Sequence, residues 1–133
     1  ITAHHLAWTV DDLMGGAFNP HLFCKPVLQR SSDRAALRAA ALSGNGRVFF
    51  GSDSAPHPRA GKESGKAPAG VYSAPVALKL EGFVSEAGAV FYGLPLNRGR
   101  IRLVKEPWTV PLEVDGAVPA AAGQPLAWRV EKV

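Results

Sequence analysis

A single cysteine, a single methionine and the lack of any long apolar run set the first limits on this chain of 133 residues. Cys24 has no partner for an internal disulfide, which excludes a disulfide-stapled scaffold and fits a reducing compartment. No stretch approaches the roughly 18 consecutive apolar residues of a membrane helix, and no signal-peptide pattern is present, so no membrane role is expected. Internal repeats are also missing. Strong charge is lacking too: the net charge of +4 is spread along the chain. Arg59, Lys62 and Lys66 fall in one Gly/Pro-rich loop and read as a solvated face, so no nucleic-acid partner is expected. A hydrophobic content of 47% with 20% charged residues describes an ordinary globular chain.

What is present reads as α/β. Residues 1–8 predict a short apolar strand ending at the pair His4-His5, followed by a loop with Asp11-Asp12 and Gly15-Gly16. Residues 21–24 predict a second strand. Ser31-Ser32-Asp33 offer N-cap candidates for an Ala/Leu/Arg-rich helix over residues 34–42 that stops at Gly44. A strand at Val48-Phe49-Phe50 follows, and this strand–loop–helix–strand order fits a parallel arrangement. Further on, residues 85–92 predict a short helix closed by Gly93-Leu94-Pro95. Residues 100–104 alternate basic and apolar side chains, as a half-buried strand does. Segments 108–111 and 126–130 predict more short strands, with turns at Asp115-Gly116 and Gly123-Gln124-Pro125 and an Ala/Pro-rich linker or loop over 117–125. Trp108 and Trp128 read as packing residues.

The stretch richest in chemistry is Arg47-Val48-Phe49-Phe50 running into Gly51-Ser52-Asp53-Ser54-Ala55-Pro56-His57. A buried strand that ends in Gly, then Asp, then a Pro-containing turn with His is how a barrel strand delivers catalytic groups to its C-terminal mouth. Asp53 at the strand tip suits metal binding or proton transfer, and His57 on the loop above suits an anionic substrate. Taken alone, the same pattern also describes an Asp capping a turn and a surface His.

Several motifs occur here in one order: Pro20-His21-Leu22-Phe23-Cys24-Lys25-Pro26, then Gly51 to His57, then Lys62-Glu63-Ser64, then Phe91-Tyr92-Gly93-Leu94-Pro95-Leu96-Asn97. Together they resemble the C-terminal part of dihydroorotase, the single-domain bacterial type of the amidohydrolase superfamily, and the opening Ile1-Thr2-Ala3-His4-His5-Leu6 is similar to that family's sixth-strand motif. The resemblance implies the C-terminal part of a (β/α)8 TIM barrel over residues 1–97, with a small accessory β element over 98–133 packing on it. It also implies a cytoplasmic homodimer with two zinc ions per active site. A hydroxide held by the zinc ions would open the ring amide of L-dihydroorotate to N-carbamoyl-L-aspartate, reversibly, in pyrimidine biosynthesis.

By motif position the resemblance makes His5 the sixth-strand zinc ligand. Because adjacent strand residues face opposite sides, His4 is expected to point away. Asp53 would be the eighth-strand ligand and the general base. His57 would hold the substrate carboxylate, helped by the backbone amide of Ala69. Lys25 would contact the pyrimidine ring through its main chain, although the family's usual residue there is apolar. His21 and Cys24 read as structural.

A complete barrel takes roughly 250 residues, and nothing here resembles the family's first five strands or the ligands they carry. The chain therefore reads as part of a longer enzyme, and its start at Ile1 rather than Met fits that expectation. Between residues 78 and 91 it also looks about one short helix shorter than the family. Isolated, these 133 residues are expected to bind zinc weakly and not to turn over. Two other readings stand beside the leading one: another cyclic-amide hydrolase of the superfamily, and a noncatalytic dihydroorotase-like scaffold subunit. The second predicts lost ligands, whereas His5 and Asp53 are both present.

Overall fold

In the computed structural model, residues 1–76 and 85–132 are described. The chain opens with two short helices, α1 (Ala3–Ala7) and α2 (Val10–Met14), then a 3-10 turn at Pro20–Leu22 and the long helix α3 (Ser31–Leu42). Helix α4 (Arg59–Lys62) follows, then α5 (Ala87–Tyr92), and the last third carries four short strands. Antiparallel β1 (Ile101–Val104) pairs with β4 (Arg129–Lys132), and β2 (Trp108–Thr109) pairs with β3 (Pro125–Leu126).

The sequence predicts strands at 1–8, 21–24 and 48–50, and the structure differs at all three. Residues 3–7 are helical because the Thr2 hydroxyl caps α1 through the backbone N–H of His5. The carbonyls at its far end are satisfied from α3: Arg34 Nη1 donates to Ala7 O at 3.1 Å and Arg38 Nε to Leu6 O at 2.7 Å. The segment at 20–22 turns because Asn19 Oδ1 accepts from the His21 N–H. Residues 48–50 are half-buried but form no ladder of their own. Their neighbour is Ile1, whose terminal amine donates to Phe49 O at 2.8 Å and whose carbonyl accepts from Gly51 N at 3.0 Å. An extended segment becomes a strand only through a partner's ladder of hydrogen bonds, and the two bonds to Ile1 do not make one.

The long helix starts earlier than its Ser/Asp cluster suggests. Arg30 is the N-cap, and Asp33 in the first turn accepts from the Arg30 N–H at 3.1 Å. Helix α5 ends as expected, at Gly93 with φ +65, and packs its aromatic end over Phe49, whose ring centroid lies 5.0 Å from that of Phe91. Of the stretch expected to be shortened, between residues 78 and 91, residues 79–84 lie outside those described.

The core is small. Leu13, Leu22, Cys24, Leu28 and Val71 are buried together, with Trp8, Phe23 and Ala120 packed against them. Ala120 belongs to the stretch 117–125 expected to be a linker or loop, and the structure makes it a packed loop. Ala117, Pro119 and Ala121 are buried, and Ala120 N donates to Tyr72 O at 3.0 Å. The C-terminal segment also holds the 58–59 loop: Arg59 N donates to Gly116 O at 2.7 Å and the Arg59 side chain pairs with Glu113 at 2.8 Å. Asp115-Gly116 is the expected tight turn, with φ +49 and +76. The first strand departs from its predicted half-burial, because Ile101 and Leu103 are exposed.

Lys62 corrects the solvated-loop reading. It is 3% exposed, and its ammonium donates to the carbonyls of Phe23 at 3.1 Å, Pro68 at 2.9 Å and Gly70 at 2.7 Å. Burial lowers its pKa, and its three donors are met by three acceptors. Lys62→Met is expected to leave those carbonyls without partners and to destabilise the protein by about 3 kcal/mol, read as a lower urea midpoint. A midpoint equal to the parent's would show that water replaces the ammonium without loss.

Candidate functional site

Asp53 follows the half-buried 48–50 segment and adopts φ +38, a left-handed conformation uncommon for a residue with a side chain. Such strain gathers at functional sites, and Asp tolerates it better than most residues. Directly after it, Ser54 makes a parallel bridge with Val71, and Ala55 N donates to Val71 O at 3.0 Å. The Ser54 hydroxyl accepts from Ser73 N at 3.1 Å and Ala74 N at 3.0 Å. The Asp53 turn is thus joined to the 69–74 segment.

That joint also brings His57 to Ala69. The His57 Nε2–H donates to Ala69 O at 3.2 Å. Gly70 lets the two loops touch: a Cβ there would lie 2.7 Å from His57 Nε2 and 2.9 Å from Ala55, at φ +153. Gly70 N in turn donates to Phe23 O at 2.9 Å, next to the segment that carries Lys25. Lys25 is exposed, so its side chain faces solvent.

The histidine pair is arranged differently from the sequence expectation. On a helix, neighbouring side chains are about 100° apart rather than opposed, and the His4 and His5 rings lie 4.7 Å apart. His4, expected to point away, is fully buried, with Nε2 3.9 Å from Asp53 Oδ2 and Nδ1 3.3 Å from Ser73 Oγ. Among the described residues its Nε2 is the buried side-chain nitrogen left without a hydrogen-bond partner. Both nitrogens of His5 are engaged: Nε2 donates to Pro26 O at 3.0 Å, and Thr2 Oγ1 donates to Nδ1 at 2.7 Å.

Cys24 lies against the pair, and one donor atom each from His4, His5 and Cys24 fall within 4.8 Å of one another. Burial pushes the Cys24 thiol above its usual pKa, and it donates to Pro26 O at 3.2 Å, as a structural thiol does. His21 pairs with Glu63 at 3.0 Å, and Glu63 with Arg59 at the same distance.

Sequence reasoning missed the parts played by His4, Ser73, Lys62 and Gly70. The paired histidines were the one local signal for His4, and a strand reading sent it to the wrong side. Ser73 sits in an unremarkable Ser-Ala-Pro, and its role depends on contacts 69 and 19 residues away in sequence.

Two predictions follow from this geometry. Gly70→Ala is expected to push the 67–70 loop off His57 and to cost about 1–3 kcal/mol, seen as a lower urea midpoint together with displaced His57 imidazole resonances. Burial is the largest cause holding the His4 pKa down, to about 4 against an ordinary 6.5, with the neighbouring His5 lowering it further and Asp53 partly opposing. The folded form therefore binds fewer protons than the unfolded chain between those values. Stability is expected to fall as pH drops from 6.5 to about 4, by up to about 3 kcal/mol. Urea midpoints measured across that range check this, and a His4→Gln variant should show a shallower decline.

No family model matches the chain. It is nonetheless 43% identical to the dihydroorotase of Hahella chejuensis and 44% identical to that of Coxiella burnetii, in each case over 98% of this chain and 43% of the relative. Both alignments run over 149 residues, more than this chain contains, so the relatives carry residues that it lacks. A crystal structure of dihydroorotase from Campylobacter jejuni superposes with a TM-score of 0.82 at 39% identity, over 98% of this chain and 43% of that one. The dihydroorotase of Saccharomyces cerevisiae, solved in complex with 5-fluoroorotic acid, gives 0.85 at 39% identity, over 99% of this chain and 42% of that one. The chain thus spans under half the length of the relatives it matches. Over nearly its whole length, this chain matches part of a dihydroorotase.

Proposed function

We propose that the protein carrying this chain is a zinc-dependent dihydroorotase that interconverts L-dihydroorotate and N-carbamoyl-L-aspartate. The observation that supports this best is the joint between the Asp53 turn and the 69–74 segment. It puts a strained, exposed carboxylate on one connected piece of backbone with the His57–Ala69 pair.

The chain's own donors fit zinc in kind. Imidazole and carboxylate are ordinary zinc ligands, and the segment supplies one of each in His5 and Asp53. His5 and Asp53 are the residues we assign to zinc, and His5 would release its hydrogen bond to Pro26 O or to Thr2 to do so. Bound zinc supplies Lewis acidity, which polarises the ring carbonyl and lets water ionise near neutral pH.

The remaining steps belong to side chains of this segment. Asp53 takes the proton of the attacking water on a carboxylate oxygen and delivers it to the ring nitrogen as the amide C–N bond breaks. His57 binds the substrate carboxylate together with the Ala69 backbone N–H, its Nε2–H turning from Ala69 O to the incoming carboxylate. Lys25 steadies the pyrimidine ring through its main chain. Residues 1–97 form the closing part of the barrel in this reading and 98–133 the extension that packs on it, while the enzyme acts as a cytoplasmic homodimer.

A catalytic zinc site takes three protein ligands, so this chain by itself is expected to show no turnover, while the whole enzyme hydrolyses L-dihydroorotate and loses that activity to a chelator. In the whole enzyme, Asp53→Ala is expected to lower kcat about a thousandfold, measured by the release of N-carbamoyl-L-aspartate. A whole protein that ignores dihydroorotate, or keeps its rate without Asp53, would instead be a hydrolase of another cyclic amide or a scaffold subunit.

A further inference from the structure

We propose that His4 is a positioning residue for Asp53: its imidazole, held on one side by Ser73, presents an Nε2–H to one oxygen of the Asp53 carboxylate and leaves the other oxygen free for proton transfer. The inference rests on the reading of Asp53 as the catalytic base.

Three observations carry it. First, His4 Nε2 is buried and has no hydrogen-bond partner. A buried polar atom without a partner is costly, and native structures retain few of them. Second, Asp53 Oδ2 lies 3.9 Å from that nitrogen. This is too long for a hydrogen bond, and the proposal has the Asp53 side chain, 61% exposed, turn to close the gap. Catalytic contacts commonly tighten in this way when substrate binds.

Third, the other face of the ring is anchored. His4 Nδ1 lies 3.3 Å from Ser73 Oγ, and Ser73 N donates to the hydroxyl of Ser54, the residue that follows Asp53. The turn carrying Asp53 therefore holds Ser73, and Ser73 holds the imidazole that faces Asp53. With the Ser73 hydroxyl donating to Nδ1, the ring proton sits on Nε2, aimed at the carboxylate. His5 does not serve in its place: its nitrogens bond Thr2 and Pro26, and the one it would free is assigned to zinc.

A base that must accept and return a proton works best when one oxygen is pinned and the other is left for chemistry. His4 would supply that pin without touching substrate.

The test has two arms. In this chain, 15N-imidazole NMR is expected to show His4 as the Nε2–H tautomer, with an Nε2 resonance that moves in Asp53→Asn and a tautomer population that shifts in Ser73→Ala. An Nδ1–H tautomer, or an Nε2 resonance indifferent to Asp53→Asn, would overturn the proposal. In the whole enzyme, His4→Leu is expected to lower kcat at least about tenfold with KM and zinc content unchanged. His4→Gln, whose amide N–H can reach Asp53, should restore most of the rate. Parental kcat in His4→Leu, or a folded His4→Gln as slow as His4→Leu, would also overturn it. Should the parent enzyme not act on dihydroorotate, the proposed function fails, while the NMR arm still decides whether His4 and Asp53 are coupled.

Discussion

The ammonium of Lys62 donates to carbonyls at residues 23, 68 and 70, and most of the site geometry depends on that one buried group. Three chain segments that share no regular secondary structure converge on it: the end of the 20–24 turn, the 67–70 loop and helix α4 itself. Loops carry backbone polar groups that need partners once buried. A lysine meets three acceptors at once because its donors radiate from a single nitrogen. The Phe23 ring lies 5.8 Å from the same nitrogen, adding a cation–π contact to the desolvated charge.

From that anchor the site assembles outward. Gly70, held by its carbonyl, approaches His57 closely enough that no side chain fits between them. Val71 and Ser73 then bridge to Ser54, which sets the turn bearing Asp53. The strained backbone of Asp53 persists because hydrogen bonds on its C-terminal side leave the turn little choice. His4 reaches the same point from a helix only five residues long. So short a helix is not stable by propensity alone. It is held by the Thr2 cap, the two arginines of α3 and the burial of Ala3 and His4.

The C-terminal segment contributes support rather than chemistry. Its turn at Asp115-Gly116 receives Arg59, and its Ala120 packs on the core cluster that includes Val71. Small side chains suit this task because they let backbone approach backbone, as at Ala120 and Tyr72. Composition alone makes the same stretch look like a linker, since Ala and Pro also dominate linkers. Which of the two it becomes depends on the surface it meets.

Much was legible in the sequence because it depends on local chemistry or on motifs held in one order. The helix over 34–42, though not its true start at Ser31, the glycine stop after Tyr92, the Asp-Gly turn and the family likeness all come from neighbouring residues. Turn and cap preferences act within a few positions. Asp53 and His57 stood out for the same reason. The tertiary structure alone decided the rest, through contacts between distant segments. It turned residues 3–7 into a helix and brought His4 rather than His5 beside Asp53. It buried Lys62 in a loop that looked solvated, and it made Gly70 indispensable to His57. In each case one residue type suits two environments, and the choice between them is made by partners tens of positions away, which local sequence does not encode.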